Sequence, residues 1–262
     1  MKNQINTTRT LSFLIPLFVI ISTLIGILNH NIYNPRLNTI TSPELLGQDS
    51  VSLIVSIIFL LCLLFERHNL FLRVVNLGML SYFIYTFGYY CFSIISSFLF
   101  LLYIIIFGLS LFIFIFRLSL LIKESSLINV NDHYPRKSIS LFFILAVLIM
   151  LVLELPYLID ITIIKNKCIV PFEVYFILDL AIVFPAMTII AVMNLLDKPS
   201  SVILSGVVLV KVITLMPALL FSDIFHFIQN GYPKDVSFDI IAFVFTLLSL
   251  VLLILYKRGI NA

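Results

Sequence analysis

Residues 201–222 read SVILSGVVLVKVITLMPALLFS, an apolar run in which Lys211 is the one charged residue. A helix that crosses a bilayer needs about 20 consecutive apolar residues, and this run has that length. The rest of the chain is similar, because 61% of its 262 residues are hydrophobic and 11% are charged. A soluble domain has about 45–50% apolar and about 25% charged residues. The composition therefore excludes a secreted domain, a cytosolic enzyme and a disordered chain.

Eight apolar runs predict an all-α integral membrane protein, a single polytopic domain built as a bundle of about eight transmembrane helices. The predicted spans are residues 11–28, 49–65, 74–95, 98–118, 140–160, 174–194, 201–222 and 237–256. Seven spans are the alternative, in which the third and fourth runs form one re-entrant unit. Either count leaves no room for a catalytic domain outside the membrane.

The distribution of Lys and Arg among the loops predicts the orientation, because cytoplasmic loops are enriched in these residues. With a cytoplasmic N-terminus, the cytoplasmic side carries eleven of them: Lys2, Arg9, Arg67, Arg73, Arg117, Lys123, Arg136, Lys137, Lys198, Lys257 and Arg258. The other side then carries four: Arg36, Lys165, Lys167 and Lys234. An even number of spans returns the chain to the side on which it began. We therefore predict a multi-pass protein with both termini cytoplasmic.

The loop before the second span contains a helix-start signal. In Ser42-Pro43-Glu44, a serine precedes a proline that would take the first helical position. We expect a short interfacial helix over Pro43–Leu46 that ends at Gly47, because glycine commonly follows the last residue of a helix.

Two stretches around the second to fourth spans carry a family resemblance. One runs from Ile32-Tyr33-Asn34-Pro35 to Gly47-Gln48-Asp49. The other is Tyr82-Phe83-Ile84-Tyr85-Thr86-Phe87-Gly88, followed by Phe98-Leu99-Phe100-Leu101-Leu102-Tyr103. Together they resemble an uncharacterised family of bacterial multipass membrane proteins. The resemblance implies a protein of the bacterial cytoplasmic membrane, and it brings neither an activity nor a functional residue.

Three charged residues lie inside predicted spans and away from the span ends: Glu154 in the fifth, Asp179 in the sixth and Lys211 in the seventh. Such a residue costs about 2.5–3.5 kcal/mol at the centre of a membrane helix, so it needs a partner or water. The predicted orientation puts both acids in the outer half of the membrane, and the long stem of Lys211 can lift its ammonium toward them. We therefore expect these three side chains to meet there.

Helical spacing extends this polar interior. Residues three and four apart share a helix face, which groups Lys211 with Thr214 and, on the third span, Tyr82 with Tyr85 and Tyr89. Facing each other, these faces would enclose a hydroxyl-rich cavity that opens outward. The predicted binding residues are Glu154, Asp179, Lys211, Asp239, Asp49, Gln48, Tyr82, Tyr85, Tyr89 and Thr214. In the alternative interpretation, the charges are structural and only hold helices together.

The sequence lacks the residues that several kinds of chemistry require. No histidine lies deep in a predicted span, so axial ligands for a haem are missing, and the chain contains neither H-E-x-x-H nor a glycine-rich phosphate loop. A net charge of +3 is too small to indicate nucleic-acid binding. We therefore predict no cofactor, no metal, no catalytic residue and no nucleic-acid partner.

The sequence favours a small transporter or permease-like protein with an outward-facing polar cavity. Its predicted partners are the lipid bilayer and a small solute or ion. The alternative is a non-transporting accessory subunit or sensor, and a weaker alternative is an intramembrane enzyme that modifies lipid.

Overall fold

The computed structural model describes residues 8, 10–29, 32–33, 42–93, 98–128, 130–131, 134–165 and 174–260. Within these ranges the chain is helical and has no β-strand. Eight helices are long and apolar enough to cross a membrane, which confirms the prediction of an eight-helix bundle. Asn34 and Pro35 of the family resemblance, and the basic residues Lys2, Arg9, Arg36 and Lys167, lie outside the described residues.

Each apolar run of the sequence forms one helix. The helices are α1 (Leu14–Leu28), α2 (Ser42–Phe65), α3 (Leu70–Phe92), α4 (Phe100–Glu124), α5 (Arg136–Ile159), α6 (Val174–Leu195), α7 (Pro199–Asn230) and α8 (Val236–Ile260). Because the number of crossings is even, α1 begins and α8 ends at one end of the bundle, here called the termini end. The other end is called the opposite end.

The fifth and sixth helices contain π-helical turns near the opposite end. One turn, Asp160–Ile164, extends α5, and the other, Asp179–Val183, lies within α6. In α6 the N–H of Phe184 bonds to the carbonyl of Asp179, five residues back. Pro185 follows directly and has no N–H to continue a regular helical ladder, which gives the wider turn a local cause.

Helix α7 is the central helix of the bundle. It packs against α2, α3, α6 and α8, and 72% of its apolar stretch is buried, against 22% in α8. The remaining helices pair as neighbours in sequence: α1 with α2, α3 with α4, and α5 with α6. Apolar side chains face outward around the rim, as a bundle surrounded by lipid requires.

Glycines allow α7 to approach its neighbours closely. A Cβ atom on Gly47 would lie 2.2 Å from the backbone nitrogen of Ser222, and one on Gly78 would lie 2.4 Å from Cβ of Val210. Gly47 was expected to end a short helix, and that expectation is wrong, because α2 runs without a break from Ser42 to Phe65. The glycine instead provides the contact between α2 and α7, as small residues commonly do in membrane bundles.

Candidate functional site

Four helices bring four polar side chains together in the half of the bundle near the opposite end. These residues, called the charged cluster, are Tyr85 from α3, Glu154 from α5, Asp179 from α6 and Lys211 from α7. The hydroxyl of Tyr85 donates a hydrogen bond to Oδ2 of Asp179 at 2.9 Å. The ammonium of Lys211 lies 4.5 Å from the centre of the Tyr85 ring, a cation–π contact. The structure therefore brings together the three charged residues expected to meet.

The charges in this cluster are not evenly matched. Lys211 attracts Asp179, whereas Glu154 and Asp179 repel each other. Glu154 is 7% exposed, and its Oε2 atom is buried without a hydrogen-bond partner among the described residues. A buried polar atom in this state costs about 1–3 kcal/mol, and more if it is charged. The cluster therefore has one carboxylate oxygen free to accept a bond.

This arrangement suits the binding of a proton or a cation. A proton would neutralise Glu154 directly, and a small cation or an ammonium group would bind its free oxygen. The four residues of the cluster are themselves buried or half-buried, so their polar groups are largely closed to solvent in this conformation. The expected outward-opening cavity therefore corresponds here to a closed polar interior.

A second buried carboxylate lies at the opposite end, between α2, α3 and α4. Asp49 is 1% exposed, and it accepts hydrogen bonds from Tyr33 at 2.5 Å and from Tyr90 at 3.0 Å. The hydroxyls of Tyr33 and Tyr103 lie 3.1 Å apart. These four residues are called the tyrosine cluster. Both oxygens of its carboxylate are bound, in contrast to Glu154.

Tyr33 lies in the loop after α1 and connects that loop to the bundle. Burial, followed by the neighbouring Asp49 carboxylate, raises the pKa of Tyr33 far above its ordinary value. The phenol therefore stays protonated and acts as the donor to Asp49. Gly26 of α1 is required beside this contact, because a Cβ atom there would lie 2.2 Å from Oδ2 of Asp49.

Two of the other predicted binding residues, Tyr82 and Thr214, make hydrogen bonds to residues outside the charged cluster. Tyr82 shares a hydrogen bond of 2.8 Å with Ser52 on α2, on the side of α3 that faces the tyrosine cluster. The hydroxyl of Thr214 bonds back to the carbonyl of Val210. Tyr89 is buried between the two clusters: it is in electrostatic contact with Tyr85, and its ring centre lies 6.3 Å from that of Tyr90. Gln48 is half-buried at the start of α2.

Asp239 lies apart from both clusters. Its electrostatic neighbours are Asp223, at the end of α7, and Asp235, just before α8. The backbone N–H of Lys234 donates to Asp223, which ties the connection between these helices to α7. Helical spacing put Asp239 on a polar face of α8, but it could not show that this face meets the acidic residues of the α7–α8 connection.

The sequence interpretation missed a buried ion pair at the termini end. Arg117 of α4 binds the carboxylate of Glu66, which follows α2, and the amide of Asn76 on α3 donates to the same carboxylate at 2.5 Å. Arg117 also contacts Ser12 at 3.4 Å, which brings in the start of α1. Arg117 had been counted only among the basic residues of the cytoplasmic side, and Glu66 had not been singled out. The available signal was a pair of opposite charges at the same predicted end of nearby spans.

Within the described part of the chain, His, Cys, Asp and Glu form no group of three or more that could hold a metal ion. No protein-family model, no curated protein and no solved structure matches this chain. The functional argument therefore depends on the geometry of the two clusters.

Proposed function

We propose that the protein is a small transporter or permease-like protein in which the charged cluster binds a proton or a small cation. The observation that carries this proposal is the buried Oε2 atom of Glu154, which lies in the same cluster as Asp179 and Lys211 and has no hydrogen-bond partner in the described part of the chain. An unmatched acid in a membrane span is costly unless a ligand compensates it during part of the working cycle. Transport sites commonly contain such residues.

The orientation that we infer places the termini end in the cytoplasm of a bacterium. This inference comes from the eleven basic residues predicted for that side against four on the other, and from the family resemblance. The charged cluster then lies in the outer half of the membrane. A solute would reach it from outside if the opposite end of the bundle opened.

A second candidate function is that of a non-transporting accessory subunit or sensor, in which the buried charges only hold helices together. It is favoured by the contacts of Tyr85 with Asp179 and Lys211, because they connect α3, α6 and α7. It gives no role to the free oxygen of Glu154. An intramembrane enzyme that modifies lipid is the weaker alternative.

Thermal unfolding of the purified protein in detergent tests the proposal. We expect lower pH, or one of Na⁺, K⁺ and Mg²⁺, to raise the Tm, because a ligand that binds only the folded state stabilises it by about 2.7 kcal/mol at a hundredfold excess over its Kd. Glu154→Gln should remove this response. The matched control is Glu124→Gln, which changes a partly exposed acid paired with Arg73 and should keep the response.

Flux in proteoliposomes then separates transport from binding. An imposed gradient of the stabilising ion should dissipate faster with the wild-type protein than with Lys211→Met or Asp179→Asn. A flat stability panel, together with a stable Lys211→Met/Asp179→Leu/Glu154→Leu triple variant, would refute the proposal and favour structural charges, since buried pairs are often replaceable by apolar residues.

A further inference from the structure

A groove of about 350 Å³ lies between α5 and α6 on the outside of the bundle. Its lining is apolar except for the hydroxyl of Thr188, and it consists of Val147, Leu151, Leu180, Phe184, Pro185, Thr188 and Ile189. Ile189 is 59% exposed and Thr188 is also exposed, so the groove opens on the surface that faces lipid. Its volume is at the small end of the range of about 300–1,000 Å³ for ligand sites, which suits one slender chain.

The lining of this groove ends within one helical turn of two residues of the charged cluster. On α5, Val147, Leu151 and Glu154 are spaced by four and three residues, so Glu154 continues the face that lines the groove. On α6, the lining begins at Leu180, next to Asp179. The groove and the cluster are therefore adjacent along both helices, with the apolar part toward the termini end.

The charge of the cluster selects the kind of head group. Two carboxylates face one ammonium, and Lys211 is engaged with Asp179 and the ring of Tyr85. Glu154 is left as the unmatched acid, and none of the described residues donates to its Oε2 atom. A primary ammonium supplies both a positive charge and N–H donors, and charge-assisted bonds of this kind are short and strong. An anionic head group would instead meet two acids.

We propose that the groove and the charged cluster form one binding site for a long-chain primary-amine amphiphile. The alkyl chain lies in the groove between α5 and α6, and the ammonium donates to Oε2 of Glu154. The inference rests on the proposed function, because it names the substrate class of the same cluster. It requires binding, however, and does not itself require transport.

Fluorescence quenching provides a direct test because the chain contains no tryptophan. Ile189→Trp places one fluorophore at the rim of the groove, about 15 Å along α6 from Asp179 at 1.5 Å per residue. An extended undecyl chain has a similar length, so undecylamine with a terminal bromine atom would bring its quencher close to the tryptophan. Leu248→Trp, on the exposed surface of α8, is the matched control for partition into detergent.

We expect bromoundecylamine to quench Ile189→Trp in a saturable manner and Leu248→Trp only weakly and without saturation. Adding Glu154→Gln should weaken the saturable phase about tenfold or more, because the ammonium loses its charged partner. Bromoundecanoate, with the same chain and an anionic head, should show no saturation. Ethylamine, the head group alone, should not compete at equal concentration, since it cannot fill the groove.

Three results would overturn the inference: equal quenching at both positions, equal quenching by the carboxylate analogue, or a saturable phase unaffected by Glu154→Gln. Competition by ethylamine at equal concentration would assign the site to small soluble amines and also overturn it. If either tryptophan variant fails to fold, thermal unfolding of the wild-type chain with the same amphiphiles makes the comparison without a reporter. If amine binding fails but inorganic cations still raise the Tm in a way that depends on Glu154, the transporter proposal stands. Saturable amine binding without any flux would refute the transporter proposal and leave the amine-binding inference standing.

Discussion

Helices α1–α4 and the pair α5–α6 hold their buried charges in different ways. In α1–α4, Arg117 binds Glu66 at the termini end and two tyrosines bind Asp49 at the opposite end. At the termini end, the α5–α6 pair is joined by a partly exposed ion pair, in which Arg136 and Asp197 lie 2.7 Å apart. At the opposite end, where Glu154 has a free oxygen, α6 is held by the bond from Tyr85 to Asp179.

This difference indicates which part of the bundle is built as a frame. Helices fastened by buried polar networks at both ends resist relative movement, because any shift would leave charges without partners. A pair fastened mainly at one end can open at the other with fewer lost bonds. We therefore expect α1–α4 to act as the frame and α5–α6 to be the pair whose displacement would admit a ligand to the charged cluster.

The largest effect should come from breaking the ion pair in the frame. Arg117→Met leaves the buried carboxylate of Glu66 without its charged partner, which costs about 3–5 kcal/mol when one partner of a buried pair is removed. Arg73→Met is the matched control, because its pair with Glu124 is partly exposed and should contribute at most about 1 kcal/mol. Denaturant titration in detergent measures both. Equal losses would contradict the view that Glu66–Arg117 fastens the frame.

A smaller loss is expected in the tyrosine cluster. Asp49→Ala removes the acceptor of Tyr33 and Tyr90, and each buried hydroxyl left without a partner costs about 1–3 kcal/mol. Asp49→Asn keeps one carbonyl oxygen as an acceptor and should lose less. The same titration gives the two free energies of unfolding. If both substitutions are neutral, the cluster does not fasten the opposite end.

The smallest effect on stability, and the sharpest contrast with Asp49, is expected at Glu154. Glu154→Leu removes an oxygen that has no partner, so the free energy of unfolding should change by no more than about 0.5 kcal/mol or increase. Asp179→Leu is the control, because it deprives Lys211 and Tyr85 of their partner and should destabilise the protein. A Glu154→Leu variant as unstable as Asp179→Leu would show that Glu154 belongs to the structural framework.

The eight helices could be predicted because each is a run of apolar residues long enough to span a bilayer. Such a run can be recognised from the sequence alone, without knowing which helices are neighbours. The meeting of Glu154, Asp179 and Lys211 was also predictable, because charged residues in hydrocarbon at similar depth seek one another. That inference did not require knowing how the helices are arranged around the bundle.

Contacts that depend on which helices are neighbours could not be predicted in this way. Gly47 was interpreted as a helix end because glycine is rare inside helices, and only the position of α7 shows that it is needed for close packing. Asp239 was predicted to line the same cavity as Lys211, although the α7–α8 connection gives it acidic neighbours. The bonds of Asp49 join a loop and two helices, so no spacing along the chain could indicate them.

The π-helical turn at Asp179–Val183 limits where residues can be inserted into or deleted from this part of the chain. Each residue advances an α-helix by about 100°, since a turn contains 3.6 residues. Loss of one residue between Asp179 and Val183 would convert the turn to regular helix and rotate Asp179 away from Tyr85 relative to the remainder of α6. In relatives that share the charged cluster, insertions and deletions should therefore be excluded from this short segment, even where its side chains differ freely.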